Sequence, residues 1–441
     1  MQKLKKKSKQ LLSLLFTFAT VFLLFAAMTL TASAAITDPV TINITPNTGN
    51  IGNGNSDANN SGVNQSQWSY NGTEKILELL TTGGNYTLTG TNNNLYIRAP
   101  YTMSVTLNNV NVTSASSSPA LSFESGGTIT IVGTNKLSAS GASASGLRLG
   151  GTIATTITSG AGSSLSATSV NRDGINISGP GGLIITGHAD VTATGSLSGI
   201  RNDSSSTYRI TVGENAKLAA TGGEDGFFGY NNPLTLEVDG AASFKTTATG
   251  KGYGGISITG NGTLAIRGKG TVSTEAKESG IVVASLYIYG CNVTAKGTTR
   301  RAVILQSGGK ITMNDAAVLT MTNGSGAAEQ HTFAVEGTDW NKPTDRVWKL
   351  TNAVFIDDTF YSVTDREIEV RVAAGQTGTV AREPKSGKLG DVNNDGKVDA
   401  TDLSLLISDF GLKGKNLRSD LNNDDVVDGR DLAILLKYFG S

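Results

Sequence analysis

Two stretches near the C-terminus hold the side chains whose type and spacing point most directly to chemistry. In "DVNNDGKVDATD", residues 391–402, acidic and amide side chains alternate around one glycine. A calcium ion takes six to eight oxygen ligands at about 2.3 to 2.6 Å. Asp391, Asn393 and Asp395 stand at loop positions 1, 3 and 5, Gly396 permits the sharp turn, and Lys397 offers its backbone carbonyl at position 7. Asp399 follows at position 9 and Asp402 closes the loop at 12. A second copy, "DLNNDDVVDGRD", begins at Asp420 and supplies that residue with Asn422, Asp424, the Val426 carbonyl, Asp428 and Asp431. Its turn position is Asp425, which asks an acidic residue to tolerate left-handed geometry and weakens that copy. The spacing predicts two bound calcium ions.

Each loop must be held by the segment after it. Leu403, Leu406, Ile407 and Phe410 fall at i, i+3, i+4 and i+7, as do Leu432, Leu435, Leu436 and Phe439, so an amphipathic helix is expected after each loop. Before the first loop stands "KSGKLG", which is no helix. The unit is half of an EF-hand used twice, with Asp where the ordinary EF-hand places Glu at position 12. On these residues, Gly390 to Gly440 resembles the type I dockerin family, the small all-α calcium-folded modules that plug secreted polysaccharide-active proteins into cohesin modules of a scaffoldin. That resemblance implies cohesin recognition by loop positions 10 and 11 and the following helix face. Here those are Ala400, Thr401, Ile407 and Ser408, then Gly429, Arg430, Leu436 and Lys437.

The other end of the chain reads as an address. Five lysines within the first nine residues precede an apolar run from Leu11 to about Leu30 and a small-residue "ASA" at 32–34, the pattern of a cleaved secretory signal over residues 1–35. The run is also nearly long enough for a membrane anchor. Without those lysines the formal charge of zero becomes about −5, and with no basic cluster this argues against nucleic acid as a partner. One cysteine, Cys291, excludes disulfides as the source of stability and is expected to be buried. Two histidines, His188 and His331, leave little material for a zinc cluster.

Residues 36–66 are a polar Asn/Gly/Ser/Thr run, expected to be a flexible leader. From 67 to 327 one phrase recurs with variations: two short runs of alternating apolar and Thr or Ser residues, then a third element such as "SGLRL", "DGINI", "SGIRN", "DGFFG", "GGISI" or "SGIVV". The glycines of that element, Gly146, Gly174, Gly199, Gly226, Gly255 and Gly280, recur at near-constant spacing. Three strands in a period of twenty-odd residues predict an all-β chain coiled as a parallel β-helix. A β-sandwich is the competing arrangement for many short strands. Segments 202–208 and 222–232 break the rhythm and are expected as loops on one face. Residues 328–383 suit a terminal β cap, and 384–389 a linker to the C-terminal module at 390–441.

The repeat domain resembles the carbohydrate-binding β-helix proteins that accompany dockerins in cellulolytic clostridia, relatives in shape of the pectate lyases. The resemblance implies a right-handed coil and calcium-assisted binding of cellulose or acidic plant polysaccharide, with further calcium in the solenoid. The residues themselves suggest a polar stripe at one corner: Arg172 and Asp173 before Gly174, Arg201 after Gly199, Glu224 and Asp225, Tyr253, Glu278, and Arg300 with Arg301. Such a stripe would hold a polymer through guanidinium–carboxylate or calcium contacts, with Tyr253, Phe227, Phe228 or Tyr230 as stacking rings. The alternative is a turn region that is merely solvated. A lyase would need a positioned base, for which Arg172 with Asp173 and Arg300 with Arg301 are the pairs available. Glu224 and Asp225, adjacent on a strand, would face opposite ways and suit paired acid catalysis poorly. A secreted carbohydrate-binding component attached through its dockerin is the leading reading, ahead of a polysaccharide lyase and a structural or adhesive surface protein.

Overall fold

The computed structural model describes residues 40–47, 50–51, 67–250, 252–306, 309–314, 316–326, 329–334, 346–351, 354–355, 367–384, 388–393, 395–413, 417–422 and 426–440. The expected signal segment 1–35, most of the polar leader, parts of the expected cap and linker, and Asp424 and Asp425 lie outside them.

Residues 76–322 form a parallel β-solenoid with three strands per coil. Coils stack through parallel register: Leu147 on Ile175, Ile175 on Ile200, Ile200 on Phe227, Phe227 on Ile256 and Ile256 on Ile281. Each of these partners directly follows a repeat glycine, so the coil period is the glycine period. Parallel pairing throughout this run rules out the sandwich, whose sheets are antiparallel. The first two faces are continuous because the strand Met103–Ser114 pairs through its first half with Gly127–Val132 and through its second with Thr134–Ala139. The third face is an eleven-stranded sheet that runs from Trp68–Asn71 to Val303–Leu305.

Alternation sends every second side chain inward. Leu236, Ile266, Ile288 and Met313 stack in one column, all fully buried. Burying a Leu, Ile or Phe side chain stabilises by about 1.5 to 3 kcal/mol. These columns therefore supply the main driving force, without a disulfide. Cys291 is among the buried residues, and burial pushes its thiol up to about 12. Outward positions carry Thr and Ser, some bonded between coils, as in Ser138 to Thr168 at 2.8 Å.

Two segments differ from expectation. Val40–Asn43, inside the supposed leader, is a strand in parallel register with Tyr86–Thr89, and the segment buries Ile42 and Ile44. Its short Val-Thr-Ile-Asn-Ile alternation is overshadowed in the sequence by the polar run behind it. Residues 222–232 are not an insertion, because Asp225–Tyr230 is the third-face strand of its coil. Its two phenylalanines obscured the strand, since Phe227 packs inward on Tyr208 while Phe228 faces outward. At the far end, Glu329–Ala334 still pairs parallel with Ile311–Asn314 but antiparallel with Glu367–Val372, and Arg346–Thr351 and Thr377–Pro384 pair antiparallel, the last also with Val318–Thr322, whose edge it covers.

The repeat glycines have a steric reason. A Cβ on Gly174 would collide with Thr194 N, Ala193 C and Ala167 O, which are all backbone atoms. Gly174→Ala should therefore cost about 3 kcal/mol and lower the melting temperature, whereas Gly160→Ala, with nothing within 4 Å of its Cβ, should leave it unchanged. Equal melting of the two variants would contradict this packing.

Candidate functional sites

The C-terminal region holds two helices, α1 (Ala400–Ser408) and α2 (Gly429–Lys437). Each begins with a capping box. Asp399 accepts from the Thr401 amide at 2.8 Å and Asp428 from the Arg430 amide at 2.7 Å. The position-12 acids are fully buried. Asp402 Oδ1 accepts from the amides of Val392 (2.7 Å) and Asn393 (2.9 Å), and its Oδ2 from that of Asp399 (2.8 Å). Asp431 repeats this with Leu421, Asn422 and Asp428. In the first loop Asp391 accepts from the Asp395 and Gly396 amides, and Gly396 has the positive φ, 86°, that its turn role demands. The halves are joined reciprocally: the Val427 carbonyl accepts from Gly411 N and the Val398 carbonyl from Gly440 N.

The first loop's donors are oxygen only: four carboxylates, one amide oxygen and the Lys397 carbonyl. This set suits a hard cation such as calcium better than a thiophilic metal. Among the described residues no three acidic, His or Cys side chains are gathered as a cage, and Asp424 of the second loop lies outside them.

The helix stripes are narrower than the spacing suggested. Leu406 and Leu435 are buried with Val392, Val398 and Val427, and Leu403 and Leu432 pack against them. Ile407, Phe410, Leu436 and Phe439 instead stand 60%, 52%, 54% and 46% exposed. Two one-layer helices have one core between them, so only the i, i+3 edge of each is covered. The other apolar edge, which includes Ile407 and Leu436 from the expected cohesin-recognition set, faces outward. Ala400, Thr401, Ser408, Gly429, Arg430 and Lys437 are likewise exposed. The two sets are not equivalent: Ser408 accepts from Arg418 at 3.1 Å, and Arg418 is clamped on Asp409 at 2.6 and 2.8 Å. Lys437, by contrast, lies over the Tyr438 ring.

On the solenoid, the corner stripe is brought together only in part. Arg172, Glu224, Tyr253, Glu278 and Arg300 reach the surface, with Arg300 ion-paired to Glu278. Arg301 is exposed. Asp173 and Asp225 are buried, at 0% and 2% exposure, which removes them from the stripe. They open the third strand, next to the glycine that presses against the neighbouring coil, and are drawn beneath the surface with it. Burial pushes both carboxyls up to about 6. Asp225 is stabilised by the Gly254 amide at 2.8 Å and the nearby Ser257 hydroxyl. For Asp173, Arg201 and Arg172 favour the anion, Asp203 opposes it and the nearby Ser198 backbone favours it weakly, though no hydrogen bond of good geometry reaches either oxygen.

Beside Asp173 a groove of about 280 Å³ opens on the third face, lined by Arg148, Arg172, Asn176 and Asp203 together with Pro119 and the serines at 117, 143, 145 and 178. Arg148, Asn176 and Arg201 are successive register partners. Asp203 is already satisfied by Arg201 Nε and Asn176 Nδ2, each at 2.7 Å. Arg201 also donates to the Tyr230 hydroxyl at 2.9 Å and lies over the Phe228 and Tyr230 rings. Arg148 gives only Nε, to Ser178 at 3.3 Å. Arg172 Nε stands 3.6 Å from Asp173, with no closer side-chain partner among the described residues. Arg148, Asn176, Ser178 and Asp203 escaped the sequence reading, which tracked mostly residues before each glycine; the signal was a polar residue two positions after the glycine for Arg148 and Asn176, and four after it for Ser178 and Asp203.

Residues 389–440 match the dockerin type I domain, so the C-terminal module is a dockerin. Neither a curated protein nor a solved structure matches the chain.

The buried Asp225 carries a pH dependence of fixed sign. It protonates near pH 6 in the fold and near 3.8 unfolded, so the folded state holds an extra proton between those values. Stability present below about pH 4 declines as pH rises through 6, by roughly 3 kcal/mol in total. Asp225→Asn should therefore gain melting temperature relative to the native chain between about pH 4.5 and about pH 7.5. A difference that stays constant across that range would contradict a buried, ionisable Asp225.

Proposed function

We propose that the chain is a secreted, cellulosome-associated carbohydrate-binding protein whose right-handed solenoid holds plant cell-wall polysaccharide and whose dockerin docks on a scaffoldin cohesin. The observation that carries this reading is the joining of a dockerin to a solenoid with a polar, arginine-lined groove on a flat parallel face. Two calcium ions would be held by Asp391, Asn393, Asp395, the Lys397 carbonyl, Asp399 and Asp402, and by their counterparts in the second loop. Calcium there completes the fold of the module. Asp402 and Asp431 already tie loop to helix through backbone amides, so a cation drawn to them would set the helix faces that meet the cohesin. The outward Ile407 and Leu436, flanked by positions 10 and 11 of each loop, supply the apolar centre such an interface needs.

Binding is favoured over cleavage. Asp173 is sealed beneath the groove floor, which leaves Arg172 without an exposed carboxylate partner, and Arg300 is ion-paired to Glu278, so neither expected pair stands complete and open as a catalytic couple. The full chain should be retained on insoluble plant cell-wall polysaccharide without releasing unsaturated uronate, and a cohesin should capture it in calcium but not in chelator. Release of unsaturated product would replace this reading with the lyase; capture that persists in chelator would remove the calcium role.

A further inference from the structure

The groove has an electrostatic bias that the polysaccharide reading alone does not specify. Its two acidic neighbours are both compromised: Asp203 is neutralised by Arg201 and capped by Asn176, and Asp173 lies fully buried behind Arg172. Its two arginines are not. The terminal N–H groups of Arg148 and Arg172 have no protein partner among the described residues, and both side chains line the same groove. A guanidinium fork left open in a concave, partly desolvated site matches a planar carboxylate, which it can bind bidentately. Serine hydroxyls at 143, 145 and 178 and the edge of Asn176 offer the neutral polar contacts a sugar ring uses.

Resting on the carbohydrate-binding reading, we propose that this groove is a subsite for one carboxylate of an acidic glycan, held by Arg148 and Arg172, and that Asp173 competes with that carboxylate for Arg172. Asp173 is a positioning residue: it touches Arg172 from behind and does not reach the groove. The charged groups around it are Arg172 from its own turn, Arg148 from the preceding coil, and Arg201 with Asp203 from the next. Of these, Arg201 and Asp203 neutralise one another, so the charge the ligand meets is set by Arg148, Arg172 and the protonation of Asp173. Burial brings that protonation into the range near pH 6, whereas a sugar carboxylate of ordinary acidity, with a pKa of about 4 or below, remains ionised there. Loss of the Asp173 charge frees Arg172 and raises the positive potential of the groove, so affinity increases as pH falls.

The test uses the full chain with polygalacturonate and its fully methyl-esterified form at about pH 5 and about pH 7.5, on either side of the Asp173 transition. Polygalacturonate should bind at least about threefold more tightly at the lower pH, a modest change for a unit charge several ångströms away. Arg148→Gln and Arg172→Gln should each weaken binding about tenfold or more at both pH values, and the ester should bind no better than those variants. Asp173→Asn should bind at the higher pH as the native chain does at the lower. If it fails to fold, Asp173→Ser, the residue type found one coil on at Ser198, replaces it. Native-like binding by both arginine variants, equal binding of acid and ester, or native pH dependence in the Asp173 variant would each overturn the proposal. If the chain holds cellulose or xylan but does not prefer polygalacturonate to its ester, the groove inference fails and the carbohydrate reading stands; if it holds no polymer, both fall.

Discussion

At the corner where each coil enters its third strand, backbone lies directly against backbone, with no space for a Cβ. Thr194 N and Ala193 C of one coil and Ala167 O of another crowd Gly174, and Gly199 meets Thr221 N and Ala220 C in the same way. This close approach draws the three faces together over a narrow core of Leu, Ile and Val columns. It also fixes the axial register, because a glycine displaced by one residue would present a side chain to the corner. Everything outward on the third face, the groove included, takes its position from that register.

The same corner explains why acidic residues are found where a solenoid of this composition would not be expected to bury them. Asp173 and Asp225 precede the glycine and follow it under the surface, at a cost in desolvation that shows in their raised proton affinity. Asp225 recovers part of this through the Gly254 amide; Asp173 relies chiefly on its arginine neighbours, with a smaller contribution from the Ser198 backbone. Position within a repeating coil therefore gives chemically identical residues different surroundings. The Arg201 guanidinium is spent on Asp203 and two aromatic rings, while Arg148 and Arg172, on the coils before it, keep theirs open.

The coil period was legible because glycine is required at a fixed place in every turn, and the register partners reproduce its spacing residue for residue. The two helices of the C-terminal module were legible for the same reason: each follows a loop of the same spacing, and loop and helix repeat together in the second copy. The third-face groove was not, because it is made by side chains one coil apart, and a one-dimensional reading that tracks residues beside the glycine passes over Arg148, Asn176 and Asp203. Nor could spacing distinguish Ile407 and Leu436 from the core-facing Leu406 and Leu435, since an i+4 neighbour is covered only if a partner element extends that far. The strand at Val40–Asn43 was hidden by its polar flank, and that at Asp225–Tyr230 by a phenylalanine pair that breaks the usual alternation.

The dockerin and the solenoid have separate cores, and the solenoid presents a surface whose layout depends on coil stacking. That stacking is most directly tested by disulfide mapping on the groove's own strands. Asn176 and Arg201 are register partners, and parallel neighbours about 4.8 Å apart fall within the range a disulfide can span. Cysteines at positions 176 and 201 should oxidise to a crosslink in the folded chain, while cysteines at 176 and 203, offset along the strand by about 6.6 Å more, should not. Crosslinking of the offset pair in preference to the aligned one would contradict the register on which the solenoid and its groove are built.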